Sequence, residues 1–144
     1  MSNQNSNYWN ENRQVILIGQ SGSVESDFIT VNGFKIQGAN NFNTFTNTAG
    51  VPNISYQANA SGIRISWGKN ITIKNCEITD NGIGIQSGVE DNMDLLIEYS
   101  KVYDNGKCTW NNSYIHNFYL SSGENSTVIV QYCHIGELLS NGHS

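Results

Sequence analysis

Arg64, Tyr119 and Lys101 are the side chains in this sequence best equipped to act on a negatively charged substrate. A guanidinium grips a carboxylate through two parallel hydrogen bonds. A phenol or an amine can carry a proton to or from a reacting carbon when its pKa is suitably shifted. Gln86, His116, Trp110 and Tyr114 add hydrogen-bonding and aromatic groups of the kind that line a binding groove. The candidate catalytic residues are therefore Arg64, Tyr119 and Lys101, and the candidate contact residues are Arg64, Gln86, Tyr119, Trp110, Tyr114 and His116. No pair among His116, His134 and His143 has metal-ligand spacing. Nor does the sequence contain a Ser-His-Asp order, a phosphate-cradling glycine loop or a dinucleotide fingerprint.

What would position these groups is a twelve-residue pattern that occurs four times: Ile29–Asn40, Ile71–Gly82, Leu95–Gly106 and Val128–Leu139. Positions one, three, six and eight are mostly apolar or small, as in Ile71, Ile73, Cys76 and Ile78. Each one-to-three and six-to-eight step is strand alternation, and the stagger between them marks a bend. Repeats of this kind bury their apolar face only by stacking on one another. A further strand precedes three of the copies, with Ile63–Gly68 aligned on Ile83–Gly88 and Phe118–Gly123, and Val15–Gly22 as a looser fourth copy. Coils of a little over twenty residues explain the spacing if Asn41–Ala60 and Lys107–Tyr114 are inserted loops. Equivalent strands recur once per coil, so the stacking is parallel rather than hairpin-like. The fold class expected is all-β, a parallel β-helix or β-solenoid of four to five coils, with residues 1–14 as a polar cap and 15–144 as the solenoid, ending in mid-repeat.

That register assigns the outward columns. Arg64, Gly84 and Tyr119 align, so Gly84 would leave a notch between an arginine and a tyrosine. Position seven reads Lys35, Glu77, Lys101, His134, and position four reads Asn32, Lys74, Glu98, Gln131. These columns read either as ladders of exposed ion pairs or as the source of a general base. Position ten carries Asp80 and Asp104, which serve either as turn residues or as ligands of a stacked Ca²⁺ site. Cys76 and Cys133 share position six, about two strand spacings apart, too far for a disulfide. Cys108 falls in a loop as a free thiol. Tyr99, Tyr132 and Tyr103, with Phe42, Phe45 and Tyr56, fit a sugar-binding wall and a covered solenoid flank equally well.

The 144 residues carry a net charge of −5. An acidic chain lacks the basic face that a phosphate backbone requires, which disfavours a nucleic-acid partner. No apolar run reaches membrane-spanning length, and the first dozen residues lack the regions of a signal peptide.

ITVNGFKIQGA, GIRISWGKNITIKNCEITDNGIGI, HNFYLSSG and the closing NGHS together resemble the right-handed parallel β-helix repeat proteins of the pectate-lyase-like superfamily. The resemblance runs from about Phe28 to the end. It implies a polysaccharide ligand, with an acidic polyuronate first, an extracellular or cell-surface setting and, in lyases, Ca²⁺ bridging the substrate. It also implies two competing roles. One is binding or processing of a glycan, by lyase or epimerase chemistry if there is any reaction. The other is a structural solenoid of a fibre, spike or adhesin that self-associates through exposed coil ends.

Overall fold

Period-two alternation builds three parallel sheets, each collecting one strand from every pass of the chain. The structure is a computed structural model that describes residues 11–20, 25–108 and 115–138. Residues 1–10 of the expected cap, together with Trp110, Tyr114 and His143, lie outside the described residues. The first sheet contains Gln14–Ile18, Ser61–Ile65, Ile83–Ser87 and His116–Tyr119, in that order. The second contains Thr30–Asn32, Ile71–Lys74, Asp94–Glu98 and Thr127–Gln131. The third contains Lys35–Gln37, Glu77–Thr79, Lys101–Val102 and His134–Ile135. Every neighbour within these sheets is parallel, the arrangement of a β-solenoid. The helical element among the described residues is a single 3-10 turn, Glu11–Arg13.

Inward side chains stack in columns between the sheets. Val31, Ile73, Ile97 and Val130 form one, and Ile36, Ile78, Val102 and Ile135 another. Ile63, Ile65 and Ile85 close the core from the first sheet. Position six takes only small groups: Cys76 and Ser100 are buried there, with Cys133 half-buried. Phe34 is the departure from the expected pattern, because its ring exceeds that slot and lies exposed. All three cysteines are free thiols, and Cys108, expected in a loop, is buried.

Two corners recur by backbone conformation. Position five is left-handed in every copy: Gly33 at φ 80°, Asn75 at 52°, Tyr99 at 49° and Tyr132 at 53°. Position ten is left-handed at Gly38, Asp80 and Asp104, with φ 89°, 58° and 51°. The first corner turns the chain from the second sheet to the third, and the second begins its return to the first. Behind the second corner runs a buried ladder of amides. Asn81 Nδ2 donates to Asn105 Oδ1 at 3.0 Å, and Asn105 Nδ2 donates to Asn117 Oδ1 at 2.9 Å. Residues 41–60 hold an antiparallel pair, Thr44–Phe45 with Ile54–Ser55, and Phe45 packs on Tyr56 at 4.7 Å. Phe42 instead lies under the Lys107 ammonium, 5.9 Å from its ring centre.

Candidate functional site

The first sheet holds most of the residues singled out from sequence, with Arg64 aligned on Tyr119 as expected and the strand Ile83–Ser87 between them shifted by two residues. Arg64 pairs with Gln86, and Gln86 with Tyr119. Gly84 therefore makes no notch between Arg64 and Tyr119. Gly62 and Gly84 turn inward at the corner, where a Cβ on Gly84 would lie 2.4 Å from the Asn117 carbonyl oxygen. Because Gly62 and Ile63 both face inward, as do Gly84 and Ile85, the strand carries a local irregularity. It brings residues three apart onto one outer face. Ser61 Oγ accordingly donates to Gln86 Oε1 at 2.8 Å, and the rings of His116 and Tyr119 stack at 5.7 Å.

Arg64 is the main departure from expectation. It is only 8% exposed, and its Nη1 donates to Gln86 Oε1 at 3.3 Å. A guanidinium so covered is a structural hydrogen-bond donor rather than an open carboxylate receptor. Tyr119 and His116 stay accessible as a stacked pair. Lys101 is not with them. It stands on the third sheet, so Arg64, Tyr119 and Lys101 do not converge.

Lys101 belongs to a second, better-defined face. The column Lys35, Glu77, Lys101 and His134 is in register on the outside of the third sheet. Lys35 Nζ lies 3.1 Å from Glu77 Oε1, and the Tyr103 hydroxyl donates to the same oxygen at 2.7 Å. The Tyr103 hydrogen bond, then the Lys35 ion pair, hold the Glu77 carboxyl below the usual carboxylate range. The same contact with Glu77, aided by burial, pushes the Tyr103 phenol up. Glu77 and Tyr103 thus satisfy each other, one ionised and one protonated. Lys101 remains exposed with no ion-pair partner among the described residues. Lys101, Tyr103 and His134 line a shallow groove of about 320 Å³. Tyr103 approaches His134 edge-on at 6.3 Å, and Gly136 fits beside Tyr103 only because it has no Cβ.

Two residues before Lys101 and His134, at the left-handed corner, stand Tyr99 and Tyr132. Their rings stack at 5.2 Å with planes 14° apart, and both are exposed. The result is an exposed aromatic platform two residues along the chain from an ammonium and an imidazole. A flat apolar ligand face suits the rings, and a carboxylate or sulfate suits the ammonium. The sequence places both tyrosines in one column, where a sugar-binding wall and a covered flank fit equally well. The signal was that same column, where Gly33 and Asn75 mark a left-handed position that tyrosine rarely occupies.

Three of the acidic residues are engaged in local contacts. Asp80 Oδ1 pairs with Lys107 Nζ at 2.8 Å, Glu25 with Lys69 at 2.9 Å, and Asp91 Oδ1 accepts from the Glu124 amide at 2.7 Å. Among the described residues no group of three His, Cys, Asp or Glu side chains is placed to hold a metal ion. No described helix is long and apolar enough to cross a membrane. Comparison with family models, with curated proteins and with solved structures returns no match for this chain.

Proposed function

We propose that this chain is a carbohydrate-binding protein built as a right-handed parallel β-helix of four to five coils with two inserted loops, of the pectate-lyase-like kind. In this reading an acidic polysaccharide, a polyuronate first, lies along the outer face of the third sheet. The observation that carries the reading is the stacked, exposed Tyr99–Tyr132 pair two residues before exposed Lys101 and His134. Sugar rings present an apolar face to the tyrosines, and the carboxylate meets the ammonium. The outer face of the first sheet, with Tyr119, His116 and Gln86, is the second stretch of surface suited to a glycan. Such a ligand belongs to an extracellular or cell-surface setting.

Binding without turnover is the form of the proposal that this geometry favours. A lyase or epimerase must gather a carboxylate neutraliser, a base and, for elimination, an acid around one sugar. Arg64 is covered, and Tyr119 and Lys101 stand on different sheets.

The test is binding of the purified chain to polyuronates, sulfated glycans and neutral glycans, with and without Ca²⁺. Selective binding to an acidic glycan is expected, weakened at least about tenfold by Tyr132→Ala and by Lys101→Ala, each loss being about 1.4 kcal/mol. Equal binding by the wild type and both variants, or no binding by the folded wild type, overturns the proposal.

A further inference from the structure

We infer that the outer flank of the second sheet holds a binding site for a neutral sugar, walled by Phe28. A groove of about 400 Å³ lies there, lined by residues from all four strands of the sheet. Its size falls in the range of small-ligand sites. The column of Thr30, Thr72, Leu96 and Ile129 lines it, together with Asn70 and Asp94. This surface is separate from the one proposed above on the third sheet. It also belongs to the side of the solenoid rather than to its end: further coils add along the axis and extend such a flank without covering it.

Folding alone does not account for Phe28. Asp27 pairs with Lys69, so Phe28 and Asn70 turn the same corner in successive passes, at φ 55° and 50°. The Phe28 N–H and Asn70 Nδ2 each donate to Asp27 Oδ1 at 2.8 Å. Asparagine adopts left-handed backbone readily, whereas a bulky ring does so against its own sterics. The Phe28 ring is 80% exposed, so burial does not offset that cost. What the ring supplies is an apolar wall for the groove.

The other lining groups select the class of ligand. Threonine hydroxyls, the Asn70 amide and the Asp94 carboxylate suit sugar hydroxyls, while Phe28 and Leu96 suit the C–H face of a sugar ring. Among the described residues that line the groove, Asp94 is the single charged group. A uronate or a sulfate would meet that carboxylate with no lining cation to offset it, so the ligand is uncharged.

The experiment is heteronuclear NMR of the full chain, titrated with neutral disaccharides of glucose, galactose and mannose, and with a galacturonate dimer as the charged comparison. A neutral sugar is expected to shift the amides of Phe28, Thr72 and Leu96 saturably, and the galacturonate dimer to leave them unmoved. Phe28→Asn is expected to weaken binding by about tenfold or more. It should also melt at the wild-type temperature or higher, because asparagine suits the corner. Phe28→Tyr, which restores the ring, is expected to keep binding. Should Phe28→Asn fail to fold, Asp94→Ala at the exposed start of its strand supplies the loss arm, again by about tenfold. No saturable shift with any neutral sugar, or equal shifts with the charged dimer, would overturn the inference. So would wild-type affinity in Phe28→Asn or Asp94→Ala, lost binding in Phe28→Tyr, or a Phe28→Asn chain that melts below wild type.

Discussion

Asn105 lies at the corner between the third sheet and the first, bonded to Ile78 of one and Asn117 of the other, and replacing it tests whether the amide ladder fixes the stacking. The residue is fully buried. Its Nδ2 donates to the Ile78 carbonyl at 3.0 Å, the Tyr103 carbonyl at 3.1 Å and Asn117 Oδ1 at 2.9 Å. Its Oδ1 accepts from the Asn81 backbone N–H at 3.2 Å and from Asn81 Nδ2 at 3.0 Å. In Asn105→Ala, Asn81 Nδ2 keeps the Thr79 carbonyl at 2.8 Å, and the Ile78 carbonyl keeps the Tyr103 N–H at 3.2 Å. The Asn81 N–H, the Tyr103 carbonyl and Asn117 Oδ1 each lose the partner described above. Each buried polar group left unsatisfied costs about 1–3 kcal/mol. With partial relaxation at the edge near Asn117, the expected loss is about 3–5 kcal/mol. Asn105→Asp does worse at neutral pH, since it sets a buried carboxylate oxygen against three oxygen acceptors. The control is Asn75→Ala, at an exposed corner, which loses one bond to Asn32 at 2.9 Å and a residue type suited to φ 52°. Its cost should be about 1 kcal/mol. Urea titration followed by far-ultraviolet circular dichroism compares the midpoints at constant slope. If Asn105→Ala costs no more than Asn75→Ala, the ladder does not hold the corner and the accounting above is wrong.

Gly84→Ala should destabilise by about 2–4 kcal/mol, since its new methyl would meet the Asn117 carbonyl at 2.4 Å and the Asn105 amide at 2.9 Å. Gly33→Ala meets nothing within 4 Å, so left-handed backbone alone sets its cost, at about 1 kcal/mol by thermal melting. Glu77 has a lowered pKa, so its stabilisation is present above its unfolded value and is lost as pH falls through the lower folded one. Unfolding titrations should therefore show Glu77→Gln closing the gap to wild type as pH drops through that window; a gap independent of pH would refute the assignment.

Legibility divides along the sheets. In the second and third, the expected columns recur residue for residue, because the apolar stagger around position five can be aligned in only one way. Thr30, Thr72, Leu96 and Ile129 lie side by side, as do Lys35, Glu77, Lys101 and His134. In the first sheet the strand Ile83–Ser87 slips by two against its neighbours. Ile63-Arg64-Ile65 and Ile83-Gly84-Ile85 share a period of two, so hydrophobicity cannot distinguish the slipped register from the true one. Aligning the glycines would have decided it. Gly62 opposite Gly84 places Arg64 beside Gln86, and only a residue without Cβ passes close to the amide ladder at that corner. The covering of Arg64 was out of reach for a different reason, since burial of an outward side chain depends on segments distant in sequence.

The left-handed corner offers the sharper lesson about function. Gly33 and Asn75 show what position five asks for, and either residue meets that demand easily. Tyr99 and Tyr132 adopt the same φ at about 1–2 kcal/mol each. Their stacked contact returns only about 0.5–1.5 kcal/mol beyond area burial, and the exposed rings bury little area. The pair thus adds no net stability over two asparagines. Folding requires the turn without requiring aromatic side chains on it. What the tyrosines provide that asparagine cannot is a flat, rigid, solvent-facing surface two residues from Lys101 and His134. That asymmetry between what the backbone needs and what the surface displays is why the glycan proposal is placed on the third sheet rather than on the covered arginine of the first.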